Sequence, residues 1–497
     1  MIVKTDPAEF QDFLSDASNY KGYAESIYFP ESEIELVELL KKLNSRKIKT
    51  TITGNGTGLT GARVPEGGVV ISLEKFNRVL GVNGKEMYAR VQPAVILKEL
   101  QDYAESVKLF YPPDPTERNC YVGATVATNA SGARTFKYGA TRNFVLGLRI
   151  VLPDGEIITI ERGNNFAEGS TARLNTENGR EILFSLPAYK MPATKNTAGY
   201  FCAENMDLID LFIGSEGTLG IITELKLKLI ELPKNVLSCV AFFLNEEDSL
   251  NFIDEARSTT AENKLRDRSS HPVLNARALE FFDHNAIEFL RPDYPNIPEN
   301  TQSAVWFEED FNFNEDVVIS SWIELLRKHN CDEESVWLAL DKNEQDKFHE
   351  FRHAISWKVN EYISLRNLKK VGTDIAVPEK KFRLFYTWMK HQVTKANMKY
   401  VIYGHFGDCH PHLNMLPQDE DEYKRAKAIY SEICKEAVRL DGTISAEHGI
   451  GKLKRDYLFS MYGESVIKKM AELKLVFDPN RILNLGNIFA AEYLDGN

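Results

Sequence analysis

The chain has 497 residues, 43% of them hydrophobic and 27% charged, which predicts a globular protein of two or three domains. Its net charge of −12 argues against nucleic acid as a partner, because binding phosphates requires a basic surface. The sequence has no apolar run of about 18 residues and no charged-then-apolar leader, so no transmembrane segment is predicted. We expect an intracellular protein, in the cytoplasm or at the periphery of the inner membrane.

The first predicted elements are two helices and a short strand. Residues 1–21 have the spacing of an amphipathic helix. Ser32 is expected to cap a second helix, because acidic residues and then regularly spaced apolar residues follow it. A strand is predicted at residues 49–53.

The next segment, Thr53 to Gly61, reads T-G-N-G-T-G-L-T-G. Its four glycines predict a loop whose backbone amides can wrap a diphosphate. It is not the G-x-G-x-x-G fingerprint, because the loop runs on to Pro65 and another strand instead of a helix. It is not a Walker loop either, since no G-K-[ST] closes it. Alone, this loop is weak evidence for a cofactor.

Strands at 69–73 and 88–95 and a helix at 97–106 lead to an unusual segment, Tyr111 to Gly147. Between Gly123 and Gly139 it reads G-A-T-V-A-T-N-A-S-G-A-R-T-F-K-Y-G. Small residues let the backbone approach a large flat molecule and leave amide groups to point at it. The alternative is a buried Gly/Ala-rich turn, which is common in large α/β folds.

Residues 146–152 and 157–160 predict a β-hairpin that turns at Pro153-Asp154-Gly155. Residues 163–181 are polar, and a long surface loop is predicted there. Residues 212–223 contain G-S-E-G-T-L-G, a further loop that can present its amides before a strand begins.

Beyond Leu232 strands and helices alternate, which predicts an α+β cap with an antiparallel sheet covered on one face. A helix at 346–363 carries Arg352, His353 and Ser356. It leads into a predicted strand that begins V-G-T-D.

The segment Y-G-H-F-G-D-C-H-P-H-L-N, from Tyr403, contains three of the ten histidines of the chain, His405, His410 and His412. Imidazole is a good ligand for zinc and similar ions, and a short rigid segment can bring two rings together. Downstream, Glu447 could complete a His/His/carboxylate site with a position left for substrate. The alternative is a His-rich turn at the surface.

Three stretches, Thr53 to Pro65, Tyr111 to Gly147 and Gly214 to Thr223, together resemble the FAD-binding domain of the vanillyl-alcohol-oxidase (PCMH-type) flavoproteins. The branch that the chain resembles contains the D-lactate, D-2-hydroxyglutarate and glycolate dehydrogenases. The similarity covers nearly the whole chain. Some members attach FAD through a His of the glycine loop, but this chain has no His before His271, so non-covalent FAD is predicted.

The resemblance implies the residues that contact FAD. In the family the glycine loop holds the pyrophosphate, the segment after Tyr111 lines the ribityl and isoalloxazine groups, and Ile221 and Ile222 contact the adenine side. The residues so implied are Gly54, Asn55, Gly56, Thr57, Gly58, Leu59, Thr60, Pro113, Asp114, Thr116, Gly123, Ala124, Thr128, Asn129, Gly132, Arg134, Tyr138, Gly139, Glu216, Gly220, Ile221, Ile222 and Asn484.

The resemblance also implies a divalent metal, zinc or manganese. His405 and His412 match the two His ligands of the family motif GHxGDxxxHxN, and Glu447 matches the carboxylate ligand of EHG. Cys409 and His410 stand where the family usually has Gly-Asn, so His410 is either a competing ligand or a neighbour.

Four further residues match catalytic or substrate-binding positions. Asn414 and His448 match residues that contact the substrate hydroxyl, and His448 is the expected base. Arg352 matches the arginine that clamps the substrate carboxylate, and Ser356 replaces a Thr that contacts substrate. Gly372 stands where the 2-hydroxyglutarate enzymes have a lysine, which puts a second substrate carboxylate in doubt.

The expected fold is α+β, with a two-part PCMH-type FAD-binding domain at 1–231 and a substrate and metal domain at 232–450. The tail, 451–497, contains F-D-P-N-R-I-L-N and is expected to return to the FAD domain. Leu485 and Asn487 replace the usual Pro and Lys of this ending, which makes the Asn484 contact less secure.

The activity implied is oxidation of a small 2-hydroxy acid, with D-lactate favoured, to the 2-oxo acid, with hydride passing to the flavin N5. The alternatives are a D-2-hydroxyglutarate or glycolate dehydrogenase subunit, an alkylglycerone-phosphate-synthase-like transferase, a non-catalytic flavin-binding subunit and a general nucleotide-binding protein. The electron acceptor stays open between quinone, cytochrome, electron-transfer flavoprotein and oxygen. A homodimer is one open possibility.

Overall fold

A computed structural model describes residues 1–265 and 274–495 of the chain. His271 lies outside the described residues. The strands are β1 (Ile2–Lys4), β2 (Ser26–Phe29), β3 (Thr50–Thr53), β4 (Val69–Ser72), β5 (Val79–Asn83), β6 (Tyr88–Val91), β7 (Leu109–Phe110), β8 (Val145–Val151), β9 (Ile157–Glu161), β10 (Thr171–Asn175), β11 (Glu181–Ser185), β12 (Ile221–Lys228), β13 (Ile230–Glu231), β14 (Asn235–Phe243), β15 (Ala276–Asp283), β16 (Ser303–Phe311), β17 (Trp337–Ala339), β18 (Val371–Gly372), β19 (Tyr400–His405) and β20 (His410–Met415).

The α-helices are α1 (Glu33–Ser45), α2 (Leu97–Ser106), α3 (Val122–Thr128), α4 (Thr135–Tyr138), α5 (Ile209–Phe212), α6 (Glu246–Leu265), α7 (His284–Leu290), α8 (Glu315–Lys328), α9 (Lys342–Leu365), α10 (Glu379–Lys395), α11 (Glu420–Arg439), α12 (Arg455–Tyr462) and α13 (Glu464–Phe477). Short 3-10 helices lie at Pro7–Glu9, Gln11–Phe13, Thr141–Phe144, Glu333–Ser335, Phe406–Asp408 and Ala491–Leu494. Within the described part of the chain, no helix combines the length and apolar character needed to cross a lipid bilayer.

The chain forms two compact units. Unit 1 comprises residues 1–131, 140–232 and 444–497, and unit 2 comprises residues 132–139 and 233–443. The α+β class is confirmed, and so is the return of the C-terminal tail, because Leu483 pairs with Thr50 beside strand β3 of unit 1.

Unit 1 contains a four-stranded sheet of order β1-β2-β4-β3 and an antiparallel five-stranded sheet of order β5-β6-β12-β8-β9. Strands β2, β4 and β3 are parallel, with α1 as the crossover, and the Ser32 hydroxyl caps α1 as predicted, accepting from the Glu35 amide. An apolar cluster joins α1 and β4 to the tail, where Ile482 and Leu483 are fully buried. The predicted hairpin is confirmed as β8 and β9.

Two sequence predictions in unit 1 are wrong. Residues 1–21 form β1 and two 3-10 turns instead of a helix, because β1 pairs with β2 and Asp6 caps a turn that contains Pro7. Residues 163–181 are not a long loop, since β10 pairs with β11 in a second hairpin. In both of its strands buried residues alternate with exposed ones, a period-two pattern too short to be decisive in the sequence.

Unit 2 is built on a seven-stranded antiparallel sheet of order β17-β14-β16-β15-β19-β20-β18. On one face, Phe282 and Trp306 pack with Phe351 of α9 in an apolar cluster. On the opposite face, Phe307 packs against Phe252 of α6 and Trp322 of α8. The prediction of a sheet covered on one face is therefore wrong, because helices cover both faces and every residue of β15 is buried.

Candidate functional site

The glycine loop of unit 1 follows strand β3 directly. Gly56 and Gly61 have φ values of +81° and +73°, a region in which glycine avoids the strain of a side chain. Side chains around the loop hold its ends, since Asp16 accepts from the Gly61 amide at 2.8 Å and Arg63 donates to the Gly54 carbonyl at 2.8 Å. Among the described residues, no protein group accepts a hydrogen bond from the amides of residues 55–60. This arrangement suits a diphosphate, which needs several amide donors at once.

Helix α3 lies in the segment rich in small residues that begins at Tyr111. Close packing explains why glycine is needed at some positions in and near this helix. A Cβ on Gly123 would lie 2.4 Å from the Pro93 Cβ, and a Cβ on Gly54 would lie 3.2 Å from the Ala124 Cβ. The glycine loop and α3 are therefore in close contact. Asn129 ends α3 with φ +49°, and its Oδ1 accepts from the Arg142 amide at 3.0 Å.

Other residues predicted to contact FAD lie around these two segments of unit 1. The Pro113 carbonyl accepts from Gln101 at 2.9 Å, and Asp114 is buried 3.8 Å from Arg118. The Thr128 hydroxyl donates to the Ala124 carbonyl at 3.0 Å. These contacts account for the local order of the segment, and the FAD assignments of these residues stay predictions.

The G-S-E-G-T-L-G loop of unit 1 is tied to both α3 and the tail. Its Glu216 amide donates to the Ala127 carbonyl at 2.8 Å, while the Glu216 carboxylate accepts from the amides of Ile450 and Gly451 at 2.6 and 2.8 Å. The Asn484 side chain donates to the Glu216 carbonyl at 2.7 Å and accepts from the Ile52 amide at 2.8 Å. Glu216 and Asn484 thus link this loop, strand β3 and the C-terminal tail by hydrogen bonds. Their predicted contacts with FAD would come in addition.

A buried ion pair secures the tail within unit 1. The Lys474 ammonium donates to Asp478 and to the carbonyls of Thr218 and Leu483, each at 2.8 Å. Asp478 also accepts from the amides of Ile482 and Leu483. Every donor and acceptor in this cluster is satisfied, which is what burial of two charges requires.

Four of the residues predicted for FAD, those between Gly132 and Gly139, fall in unit 2. Arg134 lies 4.0 Å from the buried Glu308, which Arg277 also contacts at 2.7 Å. Burial and the neighbouring Asp310 raise the pKa of Tyr138, so the phenol stays protonated at neutral pH. Sequence proximity to α3 did not reveal that this short segment packs with β15.

Strands β19 and β20 of unit 2 bring the three histidines of the Y-G-H-F-G-D-C-H-P-H segment together. His405 pairs with His410 and Tyr403 with His412 in the antiparallel ladder. One ring nitrogen of each histidine lies within 4.8 Å of those of the other two. The rings of His405 and His412 are 5.3 Å apart at their centres.

The two histidines predicted as ligands have their Nδ1 atoms engaged by acceptors. His412 Nδ1 lies 3.1 Å from the Thr373 carbonyl, and His405 Nδ1 lies 2.6 Å from Glu280 Oε1. A carbonyl and a carboxylate only accept, so these two contacts are hydrogen bonds when each Nδ1 carries the proton. In the neutral imidazole the lone pair then lies on Nε2, the form that can bind a metal ion.

His410 differs from the other two histidines. Its Nε2 lies 3.1 Å from Asp374 Oδ1, and both side chains are buried. The preceding residue, Cys409, has φ +54°, a backbone position that favours the glycine usual in the family motif. Burial raises the pKa of the Cys409 thiol to about 12, so the free thiol is protonated at neutral pH.

Arg352 of α9 is anchored by Glu280. Its Nε and Nη2 atoms donate to Glu280 Oε2 at 3.0 and 2.8 Å. Burial raises the pKa of Glu280, but Arg352 and His405 together lower it to about 2, so the carboxylate is ionised at neutral pH. No motif in the sequence points to Glu280, because it lies on β15, 125 residues from His405.

The remaining residues predicted in unit 2 lie on the same sheet face or over it. Gly372 pairs with Asn414, and a Cβ on Gly372 would be 2.9 Å from the Asn414 Oδ1. Ser356 lies 3.1 Å from the Tyr403 hydroxyl. Glycine at 372 therefore leaves room for the Asn414 amide.

Glu447 and His448 belong to unit 1. Glu447 Oε2 accepts from Lys195 at 2.9 Å and from the Ser131 hydroxyl at 3.4 Å. His448 Nε2 lies 3.6 Å from Glu447 Oε1. The sequence motifs indicated Glu447 and His448 but not Lys195. The Lys195 ammonium forms an ion pair with the Glu447 carboxylate and balances its charge.

Comparisons with known proteins found matches to two family models. Residues 24–161 match the family model described as FAD binding domain, and residues 267–488 match FAD linked oxidases, C-terminal domain. A D-lactate dehydrogenase of Anaerostipes hadrus is 32% identical over 489 residues, 96% of this chain and 92% of that protein. The chain therefore belongs to the family of FAD-linked oxidases and dehydrogenases.

Other relatives carry different names. The glycolate oxidase subunit GlcD of Bacillus subtilis (strain 168) is 30% identical, over 99% of this chain and 96% of its own length. A D-2-hydroxyglutarate dehydrogenase of Stutzerimonas stutzeri (strain A1501) is also 30% identical, over 98% of this chain and 96% of its own length.

The solved structures that are similar show the fold alone. A 4-ethylphenol oxidase from Gulosibacter chungangensis has a TM-score of 0.66 at 18% identity, over 98% of this chain and 94% of its own. An alkyldihydroxyacetonephosphate synthase has a TM-score of 0.65, also at 18% identity, over 97% of this chain and 81% of its own.

Proposed function

We propose that the protein oxidises a D-2-hydroxy acid, with D-lactate as the favoured substrate, to the 2-oxo acid. Family membership supports an FAD-dependent oxidoreductase that acts on hydroxy acids, because relatives at 30% identity or more are named for D-lactate, glycolate and D-2-hydroxyglutarate. The observation that carries the proposal is the pair His405 and His412, each held with Nδ1 as a donor and Nε2 as the basic nitrogen.

The residues present fit both groups that this activity needs. The amides of residues 55–60 fit the diphosphate of a non-covalently bound FAD, and His405 and His412 fit a divalent ion such as zinc or manganese. When bound, FAD supplies the hydride acceptor, and the metal supplies charge that lowers the pKa of the substrate hydroxyl. Glu447 is the third ligand by the sequence pattern alone.

The protein's own groups would hold the substrate and move its proton. Arg352, fixed by Glu280, orients the substrate carboxylate, and Asn414 contacts the hydroxyl across from Gly372. His448 accepts the hydroxyl proton, which requires its neutral form. Because a short substrate such as D-lactate has no second carboxylate, it needs no further cation at Gly372.

The test is anaerobic bleaching of the flavin by a panel of D- and L-2-hydroxy acids, before and after treatment with a chelator. We expect rapid bleaching by one D-acid, its loss with chelator and its return with zinc or manganese. The variant His412→Asn should lose metal-dependent bleaching. His284→Asn is the matched control, because His284 Nδ1 also lies 3.0 Å from a backbone carbonyl, that of Thr301, but the residue is outside the cluster.

Two outcomes would overturn the proposal. Absence of bleaching by every acid, with FAD and metal present, would remove the dehydrogenase and favour a transferase or a flavin-binding subunit. Bleaching that survives complete metal removal and the His412→Asn change would remove the metal from the mechanism.

The electron acceptor needs a separate experiment. The reduced protein is mixed with a quinone, a cytochrome, an electron-transfer flavoprotein or oxygen, and reoxidation of the flavin is measured.

A further inference from the structure

Glu280 is the carboxylate at the centre of the polar part of unit 2. One of its oxygens accepts from His405 Nδ1 at 2.6 Å, and the other accepts from two nitrogens of Arg352 at 3.0 and 2.8 Å. The three side chains are 2%, 2% and 5% exposed for Glu280, His405 and Arg352. A single buried carboxylate therefore contacts both a predicted metal ligand and the predicted substrate clamp.

Apart from Arg352 and His405, Glu280 has apolar neighbours on its own strand. On the same face of β15, its neighbours two residues away are Ala278 and Phe282, which belong to the apolar cluster with Trp306 and Phe351. Burying an ion pair usually gives no more stability than apolar residues of similar size would give. Fold stability alone thus gives no reason for the Glu280–Arg352 pair in place of two apolar residues.

We propose that Glu280 is a positioning residue, which holds His405 in the Nδ1–H form with Nε2 presented to a metal ion, and fixes the guanidinium of Arg352 beside it. The inference rests on the proposed function and names a residue that the family motifs did not indicate. Glu280 does not touch the metal or the substrate in this role. It acts through His405 and Arg352.

The physical effect on His405 has two parts. The carboxylate fixes the ring orientation, so the ligand does not have to be ordered when the ion binds. Its negative charge also increases the basicity of the opposite ring nitrogen, which strengthens the bond to a cation. In the equivalent place His412 has the Thr373 carbonyl at 3.1 Å, a weaker acceptor than a carboxylate, so His405 should be the more dependent of the two on its partner.

The experiment measures binding of Zn²⁺ to the full-length flavoprotein, stripped of metal, by calorimetric titration. Glu280→Gln keeps the size of the side chain but removes its negative charge. The glutamine also has one carbonyl oxygen in place of two carboxylate oxygens, so it cannot accept from both His405 and Arg352 as glutamate does. We expect its Kd for Zn²⁺ to rise about tenfold to a hundredfold. Glu309→Gln is the matched control, because Glu309 is also a buried glutamate of the same sheet but contacts Asn275 and Trp322 instead of a histidine. Its Kd should stay within about twofold of the wild type.

A double-mutant cycle separates positioning from general destabilisation. In a His405→Asn background, Glu280→Gln should change the Kd by less than about twofold, because its effect passes through His405. An equal loss in both backgrounds would overturn the proposal, and so would an unchanged Kd in Glu280→Gln alone. If Glu280→Gln does not fold, the same cycle is run with Glu280→Asp, which keeps the charge but shortens the side chain by one methylene group.

The two proposals fail differently. A wild-type protein that binds no Zn²⁺ or Mn²⁺ contradicts the metal-assisted function and the role of Glu280 with it. A wild-type protein that binds Zn²⁺ and is bleached by a D-2-hydroxy acid, combined with a Glu280→Gln variant of unchanged affinity, contradicts the role of Glu280 alone.

Discussion

Replacing Lys474 with methionine tests whether the buried ion pair at the tail holds unit 1 together. Methionine fills much the same volume but removes all three hydrogen bonds of the ammonium. The carbonyls of Thr218 and Leu483 then lose a donor, and the buried Asp478 carboxylate loses its only cationic contact among the described residues. Removing one partner of a buried pair typically costs about 3–5 kcal/mol.

The expected consequence is a large loss of stability together with weaker flavin retention. With an unfolding entropy of about 2.1 cal/mol/K per residue, 1 kcal/mol corresponds to about 1 °C in Tm for 497 residues, so the Lys474→Met variant should melt about 3–5 °C lower. Flavin fluorescence should appear at the same lower temperature, because Thr218 and Leu483 flank the loop and strand that hold the predicted FAD contacts. The assay is thermal unfolding followed by circular dichroism and by flavin fluorescence in parallel.

Lys468→Met on the same helix is the control. The Lys468 side chain is 47% exposed and pairs with Glu464, an exposed contact worth less than about 1 kcal/mol. Equal melting temperatures for the two variants would refute the reasoning, since the buried cluster would then contribute no more than a surface pair. Circular dichroism that changes before the flavin is released would show that the tail and the flavin site unfold separately.

Two further predictions concern one buried carboxyl group and one glycine. Burial raises the pKa of Glu309 to about 7, and its Oε1 has no hydrogen-bond partner among the described residues. The folded state therefore binds a proton that the unfolded state releases near pH 4.5, so stability should fall by up to about 3 kcal/mol as pH rises from 4.5 to above 7. Urea unfolding at pH 5 and pH 8 should show this loss in the free energy of unfolding of the wild type, and a smaller loss in Glu309→Gln. A rise in wild-type stability from pH 5 to pH 8 would contradict the prediction. Gly451→Ala should lower flavin retention on gel filtration, because Gly451 has φ +50° and a Cβ would lie 2.2 Å from the Thr60 carbonyl oxygen of the glycine loop. Gly463→Ala, with φ +78° and no atom within 4 Å of the new Cβ, should retain the flavin, and equal losses would rule out the contact as the cause.

The sequence predicted well those features that are local in the chain. The Ser32 cap, the β8–β9 hairpin and the His405–His412 pair each depend on residues within a few positions of one another. Such features depend on short sequence spacings, which can be recognised without knowing the fold.

Features that depend on strand register could not be predicted in this way. Glu280 meets His405 only because Phe281 pairs with Gly404 and so places β15 beside β19. Likewise, the burial of both faces of β15 follows from helices α6 and α9, which are far apart in the chain. A single sequence does not contain this information, since many registers are compatible with the same apolar pattern.

Errors at the level of elements had a different cause. The first residues were predicted as a helix on spacing alone, but pairing of Ile2 with Phe29 gave them a strand partner. Tertiary contacts of this kind override weak local preferences.

The order of the chain through unit 1 bears on how the protein is made. Asn484 is separated by 432 residues from Ile52, to which it is hydrogen bonded. A ribosome must therefore synthesise the chain as far as residue 484 before strand β3 obtains this partner, and residues 233–443 of unit 2 are made earlier. Closing so long a loop is slow, so during synthesis unit 1 stays incomplete and open to chaperones until residues 483 and 484 reach β3.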